Sequence, residues 1–214
     1  MSFVNLDKKE INFKIVYYGP PLSGKTTNLE YLHAVMPKEV KGEMTMLSTK
    51  QDRTLYFDFL PLESRAIKGF VSRFQLYTVP GQTMYNQTRR LVLSGVDGLV
   101  FVGDSQWDCM ENNADSFKNL QENLRSHNRA LEDIPYLLQF NKRDLPSVAP
   151  VEYMDFLLNP LKTRARYFET VATQGIGVAE TLNTICKMVM AQFIQQHQLS
   201  VDELVRKAAG SEAR

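Results

Sequence analysis

Residues 19–26 read Gly-Pro-Pro-Leu-Ser-Gly-Lys-Thr, and the segments on either side of them restrict this chain more than any other feature does. Upstream, Phe13-Lys14-Ile15-Val16-Tyr17-Tyr18 is an alternating strand; downstream, a helical pattern opens at Thr26. A strand that feeds a short loop and then a helix is the opening unit of an α/β fold, because a parallel neighbour strand is reached only through a crossover. The loop has the form G-x-x-x-x-G-K-T. Its glycines let the backbone curl around an anion so that successive N–H groups point inward, and the helix adds the positive end of its dipole. Lys25 is placed to reach β and γ phosphates, and Thr26 to offer a hydroxyl to Mg2+. Gly19, Leu22, Ser23, Gly24, Lys25, Thr26 and Thr27 are therefore the candidate phosphate-binding residues.

The same β/α alternation runs along the chain: strand 12–18, helix 25–35, strands 55–61 and 70–79, helix 84–94, strand 98–103, helix 111–127, strand 135–141, helix 151–158, strand 166–171 and helix 176–196. This order predicts a mostly parallel sheet of six or seven strands with helices on both faces. Strands 55–61 and 70–79 are the exception. Little more than Glu63 to Gly69 separates them, too few residues for a crossover helix, so they are expected to pair antiparallel at one edge. Residues 36–54 lack periodicity and read as a long loop of the functional kind. Ser200-Val-Asp-Glu203 has capping-box spacing, which predicts a separate short helix over 201–208. The expected organisation is one domain over 1–197 and a short helical extension with a tail over 198–214.

Bulk properties narrow the function. With 25 basic and 24 acidic residues the net charge is +1, which gives no electrostatic case for nucleic acid. Cys109 and Cys186 match no metal or redox spacing and read as reduced thiols. No segment has the apolar length of a membrane helix, and the first residues lack the pattern of a secretory leader. No glycine follows Met1 and no cysteine stands near Arg214, so a lipid anchor is not expected and a cytoplasmic location is. His33, His127 and His197 are too dispersed for a metal triad.

A second motif, Asn141-Lys142-Arg143-Asp144, follows the apolar strand Pro135 to Phe140. A carboxylate at Asp144 can accept from guanine N1–H and its 2-amino group, whereas adenine offers a lone pair at N1 and no 2-amino group. A buried carboxylate left unpaired costs about 2 kcal/mol or more, so adenine is rejected. The stem of Lys142 can lie along the base while its ammonium stays wet. Asp104, ending the strand Gly98 to Asp104, has two readings: a turn or helix-cap residue, or the acidic strand end that holds Mg2+ in phosphate-loop ATPases.

A third motif, Thr78-Val79-Pro80-Gly81-Gln82, follows the strand Phe74 to Tyr77. Together the three motifs resemble the small Ras-like GTPases. In that family a D-x-x-G-Q segment senses the γ phosphate, the glycine N–H bonding it and the glutamine orienting the attacking water. Gly81 and Gln82 match; Thr78 stands where the family has an aspartate that holds Mg2+ through water. The segments Asp52-Arg53-Thr54, Leu55 to Leu62, Ile15 to Pro20 and Asn141 to Pro146 resemble, more narrowly, the bacterial MglA-type GTPases over roughly residues 1–195.

That resemblance implies a GTP/GDP switch with Mg2+, acting as a monomer on polarity and motility effectors, sometimes at the cell pole. It also implies a Roadblock-type homodimeric activator of the MglB kind. Thr54 would join Thr26 on Mg2+ and Arg53 would be an arginine finger from the same chain, against the plain reading of a solvated loop arginine. Thr45 and Thr49 in the same loop compete with Thr54. The turn Gly175-Ile176-Gly177 resembles the family's last base loop, where the Ala172 N–H would meet guanine O6. Pro21 stands where Ras-like loops carry glycine; it removes an N–H and adds bulk beside the reacting centre, which points to low turnover. Two other classes remain open at this point: a GTP-bound scaffold with little turnover, and a phosphate-loop ATPase or small-molecule kinase built on Asp104.

Overall fold

The computed structural model describes residues 3–5, 8–48, 53–59, 70–82, 85–161 and 163–211, with the backbone alone described for 3, 46–48, 53–59 and 197–211. Strand β1 is Phe3–Asn5 and β2 is Glu10–Tyr18, followed by α1, Lys25–Val35. Next come β3 (Thr45–Ser48), β4 (Arg53–Phe59), β5 (Val71–Thr78) and α2 (Asn86–Leu93). The second half contains β6 (Gly98–Asp104), α3 (Met110–Arg125), β7 (Tyr136–Asn141), α4 (Val151–Leu158), β8 (Tyr167–Thr170) and α5 (Val178–Ser211).

The sheet order is β3-β4-β5-β2-β6-β7-β8, with β1 paired to β2 off this path. β5, β2, β6, β7 and β8 are parallel neighbours, and β3 and β4 run antiparallel at the β5 edge. This is the expected α/β architecture with its antiparallel edge. The alternation of side chains explains the layers. Ile11, Phe13, Ile15 and Tyr17 of β2, Val100 and Val102 of β6 and Leu137 of β7 point to the face covered by α1 and α5. Val16 and Tyr18, Leu99 and Phe101, and Leu138 and Phe140 point to the face covered by α2, α3 and α4. Central strands apolar on both faces have to be covered on both, as a doubly wound parallel sheet does.

The expected stripe Val178, Leu182, Ile185, Val189 and Phe193 is buried along α5, with Cys186 beside it. Burial pushes the Cys186 thiol well up, which makes it a core-filling group. Two expectations change. Residues 36–54 are not all loop: Thr45–Ser48 pair with Arg53–Tyr56, in a short strand whose polar flanks hide its period. The last helix runs unbroken from Val178 to Ser211, through the position where Ser200 suggested a new helix start. A capping box nucleates a helix only where the preceding backbone leaves helical geometry, and here it does not.

Phe193 is buried and meets Phe13 edge-on at 5.4 Å, while Phe13 stacks on Phe74 at 5.2 Å. We expect Phe193→Ala to lose about 3–4 kcal/mol in urea unfolding, as a large cavity in a close-packed core does. A loss under about 1 kcal/mol would show that α5 is not seated on β2 as described.

Candidate functional site

All three motifs reach the same end of the sheet, where parallel strands deliver their C-termini. β2 ends at Tyr18 and the chain turns through residues 19–24 into the first turn of α1. The first amides of a helix have no intrahelical partner, so they face whatever lies in the turn. Gly24 is the residue before α1, at φ 100°, and a Cβ there would lie 2.1 Å from the side-chain nitrogen of Asn141. Only glycine fits. Lys25 is 6% exposed, and its Nζ donates to the carbonyls of Gly19 at 3.0 Å and Pro20 at 2.5 Å. It thus spans the loop as a buried cation. Leu22 is held at φ 59° with 87% of its surface exposed, a conformation that costs an L-residue about 1–2 kcal/mol. Ser23 is buried and its hydroxyl has no hydrogen-bond partner among the described residues, while Thr26 and Thr27 are half-buried at the start of α1.

At the second motif, Asn141 ends β7. Its Nδ2 donates to Ser23 O at 2.8 Å, and its Oδ1 accepts from Ala172 N at 3.0 Å and Thr170 Oγ1 at 3.1 Å. One amide therefore ties the phosphate loop to the loop after β8. The Ala172 N–H, which the resemblance assigns to guanine O6, is here donated to Asn141. Lys142 adopts φ 66° and its Nζ pairs with the buried Asp104 carboxylate at 2.5 Å. Asp104 also accepts from Gln106 N at 3.1 Å, and Asn113 Oδ1 accepts from Asp104 N at 2.9 Å. The carboxylate is thus engaged at the C-terminal end of β6, where Asp104 stands opposite Asn141 in the β6–β7 register. This agrees with the turn-holding reading and adds an ion pair that spacing did not suggest. Nearby Cys109 has its thiol pushed up by burial and by the Asp104 charge. Asp144 is solvent-exposed, so it is not the pre-buried carboxylate the sequence argument assumed.

On the third side, β5 ends in buried Thr78, and Val79, Pro80 and Gly81 are buried after it while Gln82 is exposed. Gly81 lies on the phosphate loop: a Cβ there would come within 2.4 Å of Pro21 Cα. β4 is antiparallel to β5, with Tyr56 opposite Tyr77, so its first residues, Arg53 and Thr54, stand at this same end of the sheet. They open a strand, opposite Ser48 and Leu47, where the sequence suggested a loop. Thr45 pairs with Tyr56, further from that end than Thr54. Thr49 and Asp52 lie outside the described residues.

Sequence reasoning missed the supports behind these motifs. Asn28 Nδ2 donates to Gly24 O at 2.9 Å and its Oδ1 accepts from Gln139 Nε2 at 3.0 Å, bracing α1 against β7. Arg89, 1% exposed, reaches the third motif from α2. Polar residues inside apolar strands and helices were the available signal. Among the described residues no group of three His, Cys, Asp or Glu side chains could hold a metal. Hydroxyl oxygens are available to a divalent ion at this end of the sheet. The half-buried Thr26 at the helix start offers such a hydroxyl, and hard oxygens of this kind suit Mg2+. No described helix is long and apolar enough to cross a membrane.

Comparison with known proteins agrees with this geometry. A model of the Ras family matches residues 44–191, a range that begins after the loop at residues 19–26. The Mutual gliding-motility protein MglA of Myxococcus xanthus (strain DK1622) is 50% identical over 192 residues, 90% of this chain and 97% of that protein. GTP-binding protein yptV2 of Volvox carteri is 25% identical over 170 residues, 74% of this chain and 75% of that protein. The chain belongs to the Ras family, and within it to the MglA-type small GTPases.

Proposed function

We propose that this protein is a GTP-operated switch that hydrolyses GTP slowly on its own and faster with an activating partner. The observation that carries the proposal is the seat of Gly81 on Pro21, which puts the third motif against the phosphate loop where a γ phosphate would end. Amides of residues 22–26 and the Lys25 ammonium bind the polyphosphate. The Gly81 N–H reads the γ phosphate, and Gln82, exposed beside it, orients the attacking water. Arg53 neutralises charge that spreads over the transferred oxygens. Mg2+ held by Thr26 and Thr54, when bound, withdraws charge from the phosphates.

Guanine is recognised from Asn141 to Asp144. Because Asp144 is exposed, its two hydrogen bonds become strong only as the base covers them. The base O6 would share the Ala172 N–H with Asn141 Oδ1. Binding of GTP orders the segments around Thr54 and Gly81, and hydrolysis releases them, which changes the partner surface.

By analogy with its gliding-motility relative, we place the switch in control of cell polarity and motility. It would be a cytoplasmic monomer that can be recruited to the cell pole, and its activator would be a Roadblock-type homodimer of the MglB kind. Residues 198–214 would form an extension outside the GTP-binding domain. A GTP-bound scaffold with little turnover is the second reading. It is favoured by Thr78, buried and uncharged where a carboxylate would bring negative charge, and by the proline ring of Pro21 under Gly81.

Two experiments test these statements. Asp144→Asn exchanges two acceptors for one acceptor and one donor, which suits xanthine, with its 2-oxo group, in place of guanine. Calorimetric titration should show GTP affinity falling at least about 100-fold while xanthosine triphosphate gains; unchanged GTP affinity removes Asp144 from the base site. In turnover assays with the Roadblock-type activator, Arg53→Ala and Gln82→Ala should each reduce the stimulated rate by about 100-fold or more, and Pro21→Gly should raise the unstimulated one. Stimulated turnover that survives both alanine variants refutes the assigned mechanism, and GTP left intact after long incubation with activator selects the scaffold.

A further inference from the structure

Among the described residues Arg89, on α2, is the largest fully buried side chain, at 1% exposure, and it reaches Asn119 of α3 and Tyr18 of β2. Every described acceptor of its guanidinium is neutral. Nε donates to Pro80 O at 2.9 Å, Nη2 donates to Gly81 O, and Nη1 donates to Asn119 Oδ1 at 2.7 Å. The group also lies over the Tyr18 ring, 5.5 Å from its centroid. Burying a cation without a carboxylate is expensive, and an apolar side chain of the same volume commonly serves stability as well or better. Stability alone therefore gives a poor account of an arginine here.

The two carbonyls that Arg89 holds are the ones that aim the next amides. The described peptide bonds contain no cis form, so the C=O of Pro80 points opposite to the N–H of Gly81 in one rigid plane. Fixing the Pro80 carbonyl towards Arg89 fixes the Gly81 N–H away from it, and the bond to Gly81 O does the same for Gln82 N–H. A cationic donor on a carbonyl also polarises that peptide and strengthens its N–H as a donor.

The guanidinium is held in turn. Asn119 Oδ1 accepts from Arg89 and, at 2.6 Å, from Tyr18 OH, while Asn119 and Asn123 both donate to Asn86 Oδ1 at 3.1 and 2.8 Å. Asn86 is the first residue of α2, so the ring of contacts closes back on the helix that carries Arg89.

We infer that Arg89 is a positioning residue for the γ-phosphate reader: by clamping the Pro80 and Gly81 carbonyls it aims the Gly81 and Gln82 amides, and so sets the preference for GTP over GDP. The inference rests on the proposed GTP switch, since it names what orients that switch's sensing amide. GDP lacks the γ phosphate and should be bound as well without the clamp.

Arg89→Lys keeps a charge but has all its donors on one nitrogen, without the planar fork that spans three separated acceptors, and Arg89→Met keeps apolar bulk. Binding of GDP and of a non-hydrolysable GTP analogue is titrated for wild type, for both variants, and for Asn119→Ala as a milder lesion in case a core substitution fails to fold. We expect GDP affinity within about threefold of wild type and analogue affinity about tenfold or more weaker, as the loss of a hydrogen bond to a charged group predicts, with the Asn119 variant shifted the same way by less. Equal loss for both nucleotides, or unchanged binding with a lowered Tm, would show that Arg89 is only structural and would overturn the inference. A wild type that binds neither nucleotide refutes the GTP switch itself, a separate outcome.

Discussion

The site depends on one side chain. Asn141 Nδ2 holds the carbonyl of Ser23 in the phosphate loop, and its Oδ1 takes hydrogen bonds from Thr170 and Ala172 in the loop after β8. Three segments far apart in sequence are thereby fixed to one another, and all of these atoms are buried. Gly24 has to be glycine because this amide lies where its Cβ would be. The loop at residues 19–26 and the motif at Asn141, which the sequence presents separately, are mechanically one unit.

Around that clamp the architecture repeats one device: a polar group placed in an otherwise apolar layer to fix a loop carbonyl or amide. Asn28 and Gln139 brace the start of α1 from the face shared with α5. Asp104 holds Lys142, and Arg89 holds Pro80 and Gly81 from the opposite face. Burial pushes the Tyr18 phenol up despite Arg89 nearby, so it remains the donor that Asn119 receives. Such buried polar contacts cost stability unless they are fully satisfied, and what they return is geometry. This frame leaves Gln82 and Asp144 exposed at the rim.

Much of this was legible beforehand. The β/α alternation, the α5 stripe and the three motifs follow local rules, namely period two against period 3.6 and glycine at a turn around an anion, so they can be read from a short window of residues. The features that escaped are non-local or overridden. β3 has no pattern of its own and exists because β4 offers it an edge. The capping box at Ser200 is locally valid, but the chain arrives there already helical. Nothing near Arg89 in sequence names Pro80 or Asn119 as its partners, and the pairing of Asp104 with Lys142 needs β6 and β7 side by side. Asp144, expected as a buried carboxylate, is exposed, because nothing in the four-residue motif itself specifies what packs over its last side chain.

The most direct measurement of the central claim is the dissociation rate of GDP from Asn141→Ala, followed by displacement of a fluorescent analogue and read beside a thermal melt. With three hydrogen bonds of about 1 kcal/mol each removed from the joint between phosphate loop and base loop, release should accelerate about 100-fold while the sheet stays folded. Release within about threefold of wild type in a folded variant would contradict the account, because the two halves of the site would then hold their places without the amide that joins them.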